Sequence, residues 1–217
     1  MKNKYIVYIG LDVGVQGGIS IVDNKNLPIV YKIPVKQVVI NKKKKKIYDL
    51  CKLVEILKPY QNKKVLFLQE SVSSMPGQGV SSAFGFGKSA GVSLGAATAL
   101  GFTVEEVRAS LWKKAFPELN TVEIKGLRWQ LKKIRENNKT LKEKGLKKGN
   151  NKKEIELILA ENKKNSGRLN RQIKSKSKAE ARFLVSKLYP GLAHNFKAVN
   201  TDGVAESLLI ALYGKEL

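Results

Sequence analysis

The chain has 217 residues, which is enough for one sizeable hydrophobic core and too few for two full domains. Lys and Arg number 41 against 18 Asp and Glu, and the formal net charge of +23 favours a polyanionic ligand, above all nucleic acid. The single cysteine, Cys51, excludes an internal disulfide framework and a cysteine-based zinc cluster.

No run of about 18 apolar residues is available to span a bilayer. The first ten residues also lack the pattern of a secretory signal. We therefore expect an intracellular, soluble protein without a membrane partner. The lone cysteine fits a reducing compartment, and we expect it to be a small core residue.

The first third of the chain predicts a three-stranded antiparallel meander, then a helix and a fourth strand. Short β-branched and aromatic runs occupy 4–11, 17–23 and 27–34, with a glycine-containing turn after the first. Beyond the basic run 42–46, helical spacing places five apolar side chains on one face, and 64–70 has the composition of a buried strand. The helical face consists of Ile47, Leu50, Cys51, Val54 and Leu57.

Later segments complete the predicted sheet and its helices. The segment 81–100 is rich in small residues and ends at Gly101, which predicts a closely packed helix, and 102–107 supplies a fifth strand. Apolar spacing in 179–189 and 203–213 predicts two closing helices. The expected fold class is therefore α/β, with a five-stranded mixed sheet flanked by helices. The closing helices should bury Ala181, Leu184, Val185, Leu188, Val204, Leu208, Ala211 and Leu212.

A strongly basic segment precedes the closing helices. Residues 121–180 hold 19 Lys or Arg and 7 Asp or Glu, a net charge of +12. Two helix-like stretches, 125–144 and 152–164, carry thin apolar stripes and are joined by a Gly/Asn-rich linker, which is typical of a mobile helical hairpin. The expected boundaries are 1–118 and 176–217 for the core, and 119–175 for a basic helical insertion.

Four carboxylates stand at positions that suit a metal site. Asp12 lies in an apolar strand, where an unpaired charge is costly, and Glu70 ends the predicted fourth strand. If these strands are neighbours, two like charges meet, and a divalent cation between them is favoured. Asp202 and Glu206 are four residues apart, so they share one face of the last helix. The set predicts a Mg²⁺ site with oxygen ligands.

Each acid also has an ordinary interpretation. Glu70 would be a solvated strand end or a salt-bridge partner, Asp202 a helix cap, and Glu206 an exposed surface acid. The functional interpretation depends on the combination of strand one, strand four and last helix in a chain with few acids.

The motifs around these acids resemble the RuvC-type Holliday junction resolvases of the RNase H-like superfamily, especially their phage and chloroplast branch. IGLDVGVQGGISIVD is similar to the first strand and hairpin of that family, LQES to its second acidic motif, and NTDGVAESLLIALYG to its final helix. SSAFGFGKSAGV resembles the family's long helix, and VRASLWKKAF resembles its next strand and basic turn. The resemblance covers about 5–118 and 176–214.

This resemblance implies an RNase H-like fold and a nuclease that cleaves four-way or other branched DNA. The residues it implies as metal ligands are Asp12, Glu70, Asp202 and Glu206. It also places Lys113 and Lys178 where the family has lysines that serve junction cleavage.

Phosphodiester hydrolysis needs an activated water and a stabilised leaving group, which two Mg²⁺ ions per active site, or Mn²⁺ as a substitute, provide together. We expect Lys178 to stabilise the scissile phosphate electrostatically. DNA affinity should be mostly electrostatic and fall steeply with salt, unless these lysines only solvate a surface. The expected DNA-binding residues are Lys88, Arg108, Lys113, Lys114 and Lys176, together with the insertion.

A homodimer is expected because a four-way junction is approximately two-fold symmetric and paired nicks need two active sites. Small residues in the helix 82–100 would permit close contact with a second copy. Tight packing of this helix on the chain's own sheet is the alternative. The small residues are Gly85, Gly87, Gly91, Gly95 and Ala96.

The sequence departs from the family in two places. Many bacterial members have an aromatic wedge three positions after the second acid, where this chain has Ser73. Met75 and Phe86 are the expected substitutes. The insertion is also longer than the compact family core would contain.

Other functions fit less well. Gly87, Lys88 and Ser89 imitate the end of a phosphate-binding loop, but the required first glycine is Ser82. Asp12 in GLDVG also suits actin-like ATPases and sugar kinases, which normally need two duplicated domains. A non-catalytic junction-binding protein with the same fold is the third class.

Three further residues have structural predictions. Trp112 and Trp129 are expected to pack rather than to stack on bases. His194, the only histidine, is expected in a loop or at the edge of the core.

Overall fold

The fold is given by a computed structural model that describes residues 5–25, 27–40, 42–74, 77–146 and 152–217. The chain divides into two compact units. The first comprises Met1–Phe116 and Ala181–Leu217, and the second comprises Pro117–Glu180. The predicted boundaries at 118/119 and 175/176 stay a prediction.

The first unit is built on a five-stranded mixed sheet, which confirms the predicted α/β class. The five strands of this sheet and the separate pair β4 and β5 are, in chain order, β1 (Val7–Asp12), β2 (Gly18–Asp23), β3 (Ile29–Lys32), β4 (Val35–Ile40), β5 (Lys43–Tyr48), β6 (Val65–Glu70) and β7 (Thr103–Val107). The sheet order is β3-β2-β1-β6-β7. β1 pairs antiparallel with β2 and parallel with β6, and both β1 and β6 are buried along most of their length. Strands that are covered on both faces need continuous apolar runs, as these sequences have.

Six α-helices accompany the strands in the described ranges of the chain. They are α1 (Leu50–Leu57), α2 (Val80–Ala99), α3 (Ala109–Lys114), α4 (Val122–Leu146), α5 (Lys152–Leu188) and α6 (Asp202–Glu216). Short 3₁₀ helices cover Lys58–Tyr60, Pro117–Leu119, Pro190–Phe196 and Val199–Thr201. Within the described parts of the chain, no helix combines the length and apolarity needed to cross a membrane.

α6 lies in close contact with β1 and β2, because glycine replaces a side chain at the contact. A Cβ atom at Gly10 would collide with the backbone of Ser207 and Ala211. The hydroxyls of Ser20 and Ser207 share a buried hydrogen bond of 2.7 Å across the same contact. All residues from Thr201 to Ala211 are buried, so the predicted burial is confirmed for Val204, Leu208 and Ala211, whereas Leu212 is only half-buried.

The helix predicted for 47–58 was wrong in part, and the hairpin before it was not predicted. Residues 35–48 form an antiparallel hairpin, β4 and β5, separate from the main sheet, and the basic run lies in it. Ile47 therefore belongs to β5, and α1 begins only at Leu50, where the Asp49 side chain accepts from the Lys52 N–H as an N-cap. The helix buries Leu53 and Leu57 and leaves Cys51 exposed, so the cysteine is not a core residue.

The second unit contains α4 and the first part of α5. The side chains of Leu131 and Leu169 are buried, and the Asn162 side-chain amide donates to Asn138 Oδ1 at 2.7 Å. The helix predicted for 152–164 and the one predicted for 179–189 are one continuous helix, because the polar sequence between them contains no proline. The Gly/Asn-rich linker lies largely outside the described residues.

The part of α5 from Ala181 onwards belongs to the first unit. Ala181, Leu184 and Val185 are buried as predicted, whereas Leu188 at the end of the helix is exposed.

Candidate functional site

Asp12 and Glu70 end neighbouring strands at the same edge of the sheet. β1 and β6 run parallel, and their last paired residues are Leu11 and Gln69, directly before the two acids. The predicted neighbour relation between these strands is thus confirmed. Both acids are half-buried.

The first turns of α6 are held close to the carboxyl end of β1. Asp12 pairs with Gly18 across the β1–β2 hairpin. Gly17, which directly precedes Gly18, forms a backbone bridge with Gly203. A Cβ atom at Gly18 would collide with the backbone of α6, so only glycine permits this approach. The adjacent Asp202 therefore lies beside the hairpin that follows Asp12.

Asp202 and Glu206 are 9% and 7% exposed, so Glu206 is not the surface acid of the ordinary interpretation. Asp202 is not the N-cap of α6 either, because Thr201 occupies that position. Buried carboxylates need charge partners or hydrogen-bond donors. The structure provides these partners from α3 and α5.

Lys113 of α3 lies among the acids. Its Nζ atom is 2.7 Å from Glu206 Oε1. Burial alone would lower the pKa of the Lys113 ammonium. The charge of Glu206 and its hydrogen bond, followed by the charges of Glu70 and Asp12, outweigh burial, so the pKa is raised. Three of the four predicted acids therefore act on one ammonium group.

Trp112 holds Glu70 in place. The indole ring is fully buried, and its Nε1–H donates to Glu70 Oε2 at 2.9 Å. The prediction that Trp112 packs is confirmed, but its hydrogen bond to a candidate ligand was not predicted. The available signal was general: a buried indole N–H needs an acceptor, and the chain has few acids.

Arg182 pairs with Asp202, and no specific pattern in the sequence predicts this ion pair. The Arg182 guanidinium bonds to Asp202 Oδ1, and both side chains are largely buried. Arg182 stands between apolar positions of α5 that face the core, Ala181 and Leu184. A charged residue in such a place indicates a buried partner.

The carboxylates have the chemistry of a Mg²⁺ site, but their present partners are protein groups. Among the described residues, no three His, Cys, Asp or Glu side chains lie close enough together to hold a metal ion. The Lys113 ammonium contacts Glu206 within the group, and the Arg182 guanidinium pairs with Asp202. A metal ion at this position would therefore have to replace that ammonium as the neutralising charge.

The predicted DNA-binding residues fall into three environments. Lys88, Arg108 and Lys114 are exposed in the first unit. Lys113 is paired with Glu206 inside the acidic group. Lys176 and Lys178 belong to the second unit, where both are half-buried and Lys176 Nζ lies 2.7 Å from Glu123 Oε1. The roles of these residues stay predictions.

Of the two expected wedge residues, the structure describes Phe86 alone. Phe86 packs against the hydrophobic core and Met75 lies outside the described residues, while Phe84, one helical turn from Val80, is 75% exposed. The packing prediction for Trp129 was wrong, because its ring is 61% exposed and lies beneath the Lys133 ammonium.

Two minor sequence signals are also placed by the structure. Gly87, Lys88 and Ser89 are in the interior of α2, where backbone N–H groups bond within the helix and cannot cradle a phosphate. His194 is exposed in the 3₁₀ helix Pro190–Phe196.

No protein-family model and no curated protein matches the chain. Among solved structures, the chain is similar to RuvC from Thermus thermophilus, at 16% sequence identity and a TM-score of 0.30. The similarity covers 50% of this chain and 68% of that chain. A likeness at this level does not show a family, so the assignment of function depends on the acidic site itself.

Proposed function

We propose that the protein is a Mg²⁺-dependent, structure-specific DNA endonuclease with an RNase H-like, RuvC-type fold that resolves four-way junctions by paired nicks. One observation carries the proposal: Asp12 and Glu70 directly follow paired residues of two neighbouring parallel strands, and Lys113, whose pKa their charges raise, lies 2.7 Å from Glu206. Acids are scarce in this chain of net charge +23, yet several of them meet at one edge of its sheet.

The four acids would hold the metal ions only after their side chains move closer together than they lie in this structure, in place of the Lys113 ammonium. Asp12, Glu70, Asp202 and Glu206 offer hard oxygen ligands, which suit Mg²⁺ and also Mn²⁺. Two bound ions would activate water and stabilise the leaving oxygen. Trp112 would keep the Glu70 carboxylate oriented, since it donates to one of its two oxygens.

Positive charge supports a DNA substrate. Lys88, Arg108 and Lys114 are exposed on the same unit as the acids, and the second unit carries much of the remaining excess. Phosphate contacts from such residues give affinity that does not depend on sequence. Lys178 remains the proposed group for stabilising the scissile phosphate.

A homodimer is part of the proposal. The glycines of α2 do not pack on the chain's own sheet: Gly87, Gly91 and Gly95 are exposed, with nothing within 4 Å of an added Cβ atom. Ala90, Ser93 and Ala97 face inwards instead. This arrangement favours the first of the two alternatives, contact with a second copy. A monomer by sedimentation, on and off DNA, would refute it.

The two alternative functions receive less support. An actin-like ATPase or sugar kinase needs a second α/β domain, but the described residues of the second unit form helices only. A non-catalytic junction-binding protein has no need of several acids grouped at one sheet edge.

The test is nicking of a labelled four-way junction with Mg²⁺, beside Y-shaped and linear DNA of the same sequences. We expect symmetric nicks on the junction, none in EDTA, and no ATP hydrolysis. Asp12→Asn should abolish nicking and leave junction binding largely intact. The matched control is Asp23→Asn. Asp23 pairs with Val7 at the start of β1, so it lies at the other end of this strand from Asp12. Nicking retained by Asp12→Asn would overturn the assignment.

A further inference from the structure

The β4–β5 hairpin, Val35–Tyr48, carries six lysines and no acidic residue in fourteen positions. We refer to it as the basic ribbon. Among the strands that the structure describes, β4 and β5 pair only with each other, and all lysines from Lys42 to Lys46 are exposed. None of these lysines has an ion-pair partner among the residues that the structure describes.

The sequence of β5 is a poor one for an isolated hairpin. Lysine is depleted in strands, a two-stranded hairpin is only marginally stable, and like charges close together destabilise it further. β4 offsets this in part with Val38, Val39 and Ile40. A polyanion bound along the ribbon would neutralise the remaining repulsion.

The lysines are distributed over both faces of the ribbon. Side chains alternate along a strand, so the pairs Val38↔Lys45 and Ile40↔Lys43 share one face, while Val39↔Lys44 lies on the other. An element that rests on a lipid surface gathers its cations on one side. Cations on both sides suit a ligand with negative charge on both sides, as in a groove of double-helical DNA between its two phosphate backbones.

The dimensions agree with such a groove. Six residue pairs give a ribbon about 20 Å long, and a two-stranded ribbon fits the major groove of B-DNA. Near its tip the ribbon exposes Val39 and Ile40, at 70% and 43%, on opposite faces, so whichever face meets the base edges offers one apolar side chain to the methyl groups of thymine.

The base of the ribbon is anchored next to the acidic site. Tyr48 is buried, and its hydroxyl accepts from the Gly14 N–H at 2.8 Å, two residues after Asp12. The Asp49 N–H donates to the Pro34 carbonyl at 2.9 Å and closes the base. A duplex held by the ribbon would therefore lie beside the site.

We propose that the basic ribbon is a DNA-binding arm that grips a duplex by its two phosphate backbones and adds affinity without taking part in cleavage. This inference rests on the proposed function only in taking DNA as the ligand. The ribbon's six lysines are distinct from the predicted DNA-binding residues.

The test compares two triple variants of the full chain with equal loss of charge. The ribbon variant is Lys43→Gln, Lys44→Gln, Lys45→Gln. The control is Lys52→Gln, Lys58→Gln, Lys64→Gln, whose lysines are exposed on the same unit. Binding to a 24-base-pair DNA duplex and to a four-way junction is measured by fluorescence anisotropy across a series of salt concentrations.

We expect the ribbon variant to bind on the order of a hundredfold more weakly at 0.1 M salt, with a log–log salt slope lower by about 2 to 3. The control should change little, and the corresponding Lys→Arg ribbon variant should restore binding. If both triple variants lose the same DNA affinity, the ribbon contributes only to the general positive charge of the protein, and the proposal is overturned. So would loss of binding to phosphatidylserine vesicles with DNA affinity unchanged, which would assign the ribbon to a membrane.

Folding and nicking are read separately. The ribbon variant should melt at or above the wild-type temperature in low salt, because it loses like-charge repulsion. If the wild type nicks the junction and the ribbon variant binds DNA as tightly as the wild type, the proposed DNA-binding arm is overturned and the nuclease is not. Absence of nicking together with weakened binding would overturn the nuclease and leave the arm.

Discussion

The indole N–H of Trp112 donates to Glu70 Oε2 across 2.9 Å, so a fully buried aromatic ring positions a half-buried acid at the end of β6. Trp112 directly precedes Lys113, whose ammonium contacts Glu206. Adjacent residues of one short helix thus contact acids from a strand and from the last helix. α3 is therefore a structural link between the two halves of the acidic group.

Trp112→Phe should weaken this link while keeping an aromatic ring in the core. A hydrogen bond to a charged group contributes about 1.5 to 3 kcal/mol, so we expect a lower free energy of unfolding by that amount or slightly more. Urea denaturation measures it. Trp129→Phe is the control, because Trp129 is exposed and should tolerate the change within about 0.5 kcal/mol. Equal stability of both variants would contradict a structural role for the Trp112–Glu70 bond.

Gly10→Ala should disrupt the contact between β1 and α6. The added Cβ would collide with backbone atoms of Ser207 and Ala211, which cannot move without displacing α6 and its acids. We expect a loss of at least about 3 kcal/mol in urea denaturation. Gly126→Ala in α4 is the control, since nothing lies within 4 Å of its Cβ position and alanine favours the helix by about 0.5 to 1 kcal/mol. A stable, well-folded Gly10→Ala protein would contradict the close contact.

The central sheet could be predicted from the sequence, because β1, β2 and β6 are apolar runs bounded by turns, a pattern that depends only on local composition. The hairpin β4–β5 could not, since β5 is mostly lysine and owes its strand conformation to pairing with β4. The prediction of two separate helices at 152–164 and 179–189 was also wrong, because the apolar spacing is interrupted between these segments while the helix continues.

The acids could be proposed from their places at strand and helix ends, but their partners could not. Arg182 is twenty residues from Asp202, and Lys113 is distant from Glu206. Such pairs arise from tertiary packing, for which a single sequence contains no distance information. The close approach of α6 to the sheet likewise depends on glycines whose role appears only in three dimensions.

Tyr48 should make stability depend on alkaline pH. Burial, followed by the charge of Asp12, raises its pKa to about 12 although the hydrogen bond from Gly14 lowers it. A folded-state pKa above the unfolded value of about 10 gives stability that is complete below pH 10 and is lost as pH rises towards 12. Tyr48→Phe lacks this titration, so the wild type should be more stable than the variant at pH 8 and less stable than the variant near pH 12. The difference in their free energies of unfolding should change by about 2 kcal/mol between these two pH values. A constant difference in urea midpoints over this range would contradict the assignment.

Lys113→Gln tests whether the ammonium and a metal ion neutralise the same acids. Without metal, the variant leaves the Glu206 carboxylate uncompensated, so its free energy of unfolding in EDTA should fall by about 1 to 3 kcal/mol. Mg²⁺ that binds only the folded state adds about 2.7 kcal/mol at a hundred times its Kd. Because the variant has no competing ammonium, Mg²⁺ should stabilise it more than the wild type. The difference in melting temperature between the wild type and Lys113→Gln should therefore become smaller when Mg²⁺ is added. Lys114→Gln, an exposed neighbour, should show neither effect. A gap that Mg²⁺ leaves unchanged would mean that Lys113 is a structural partner of Glu206 and that metal, if bound, lies elsewhere.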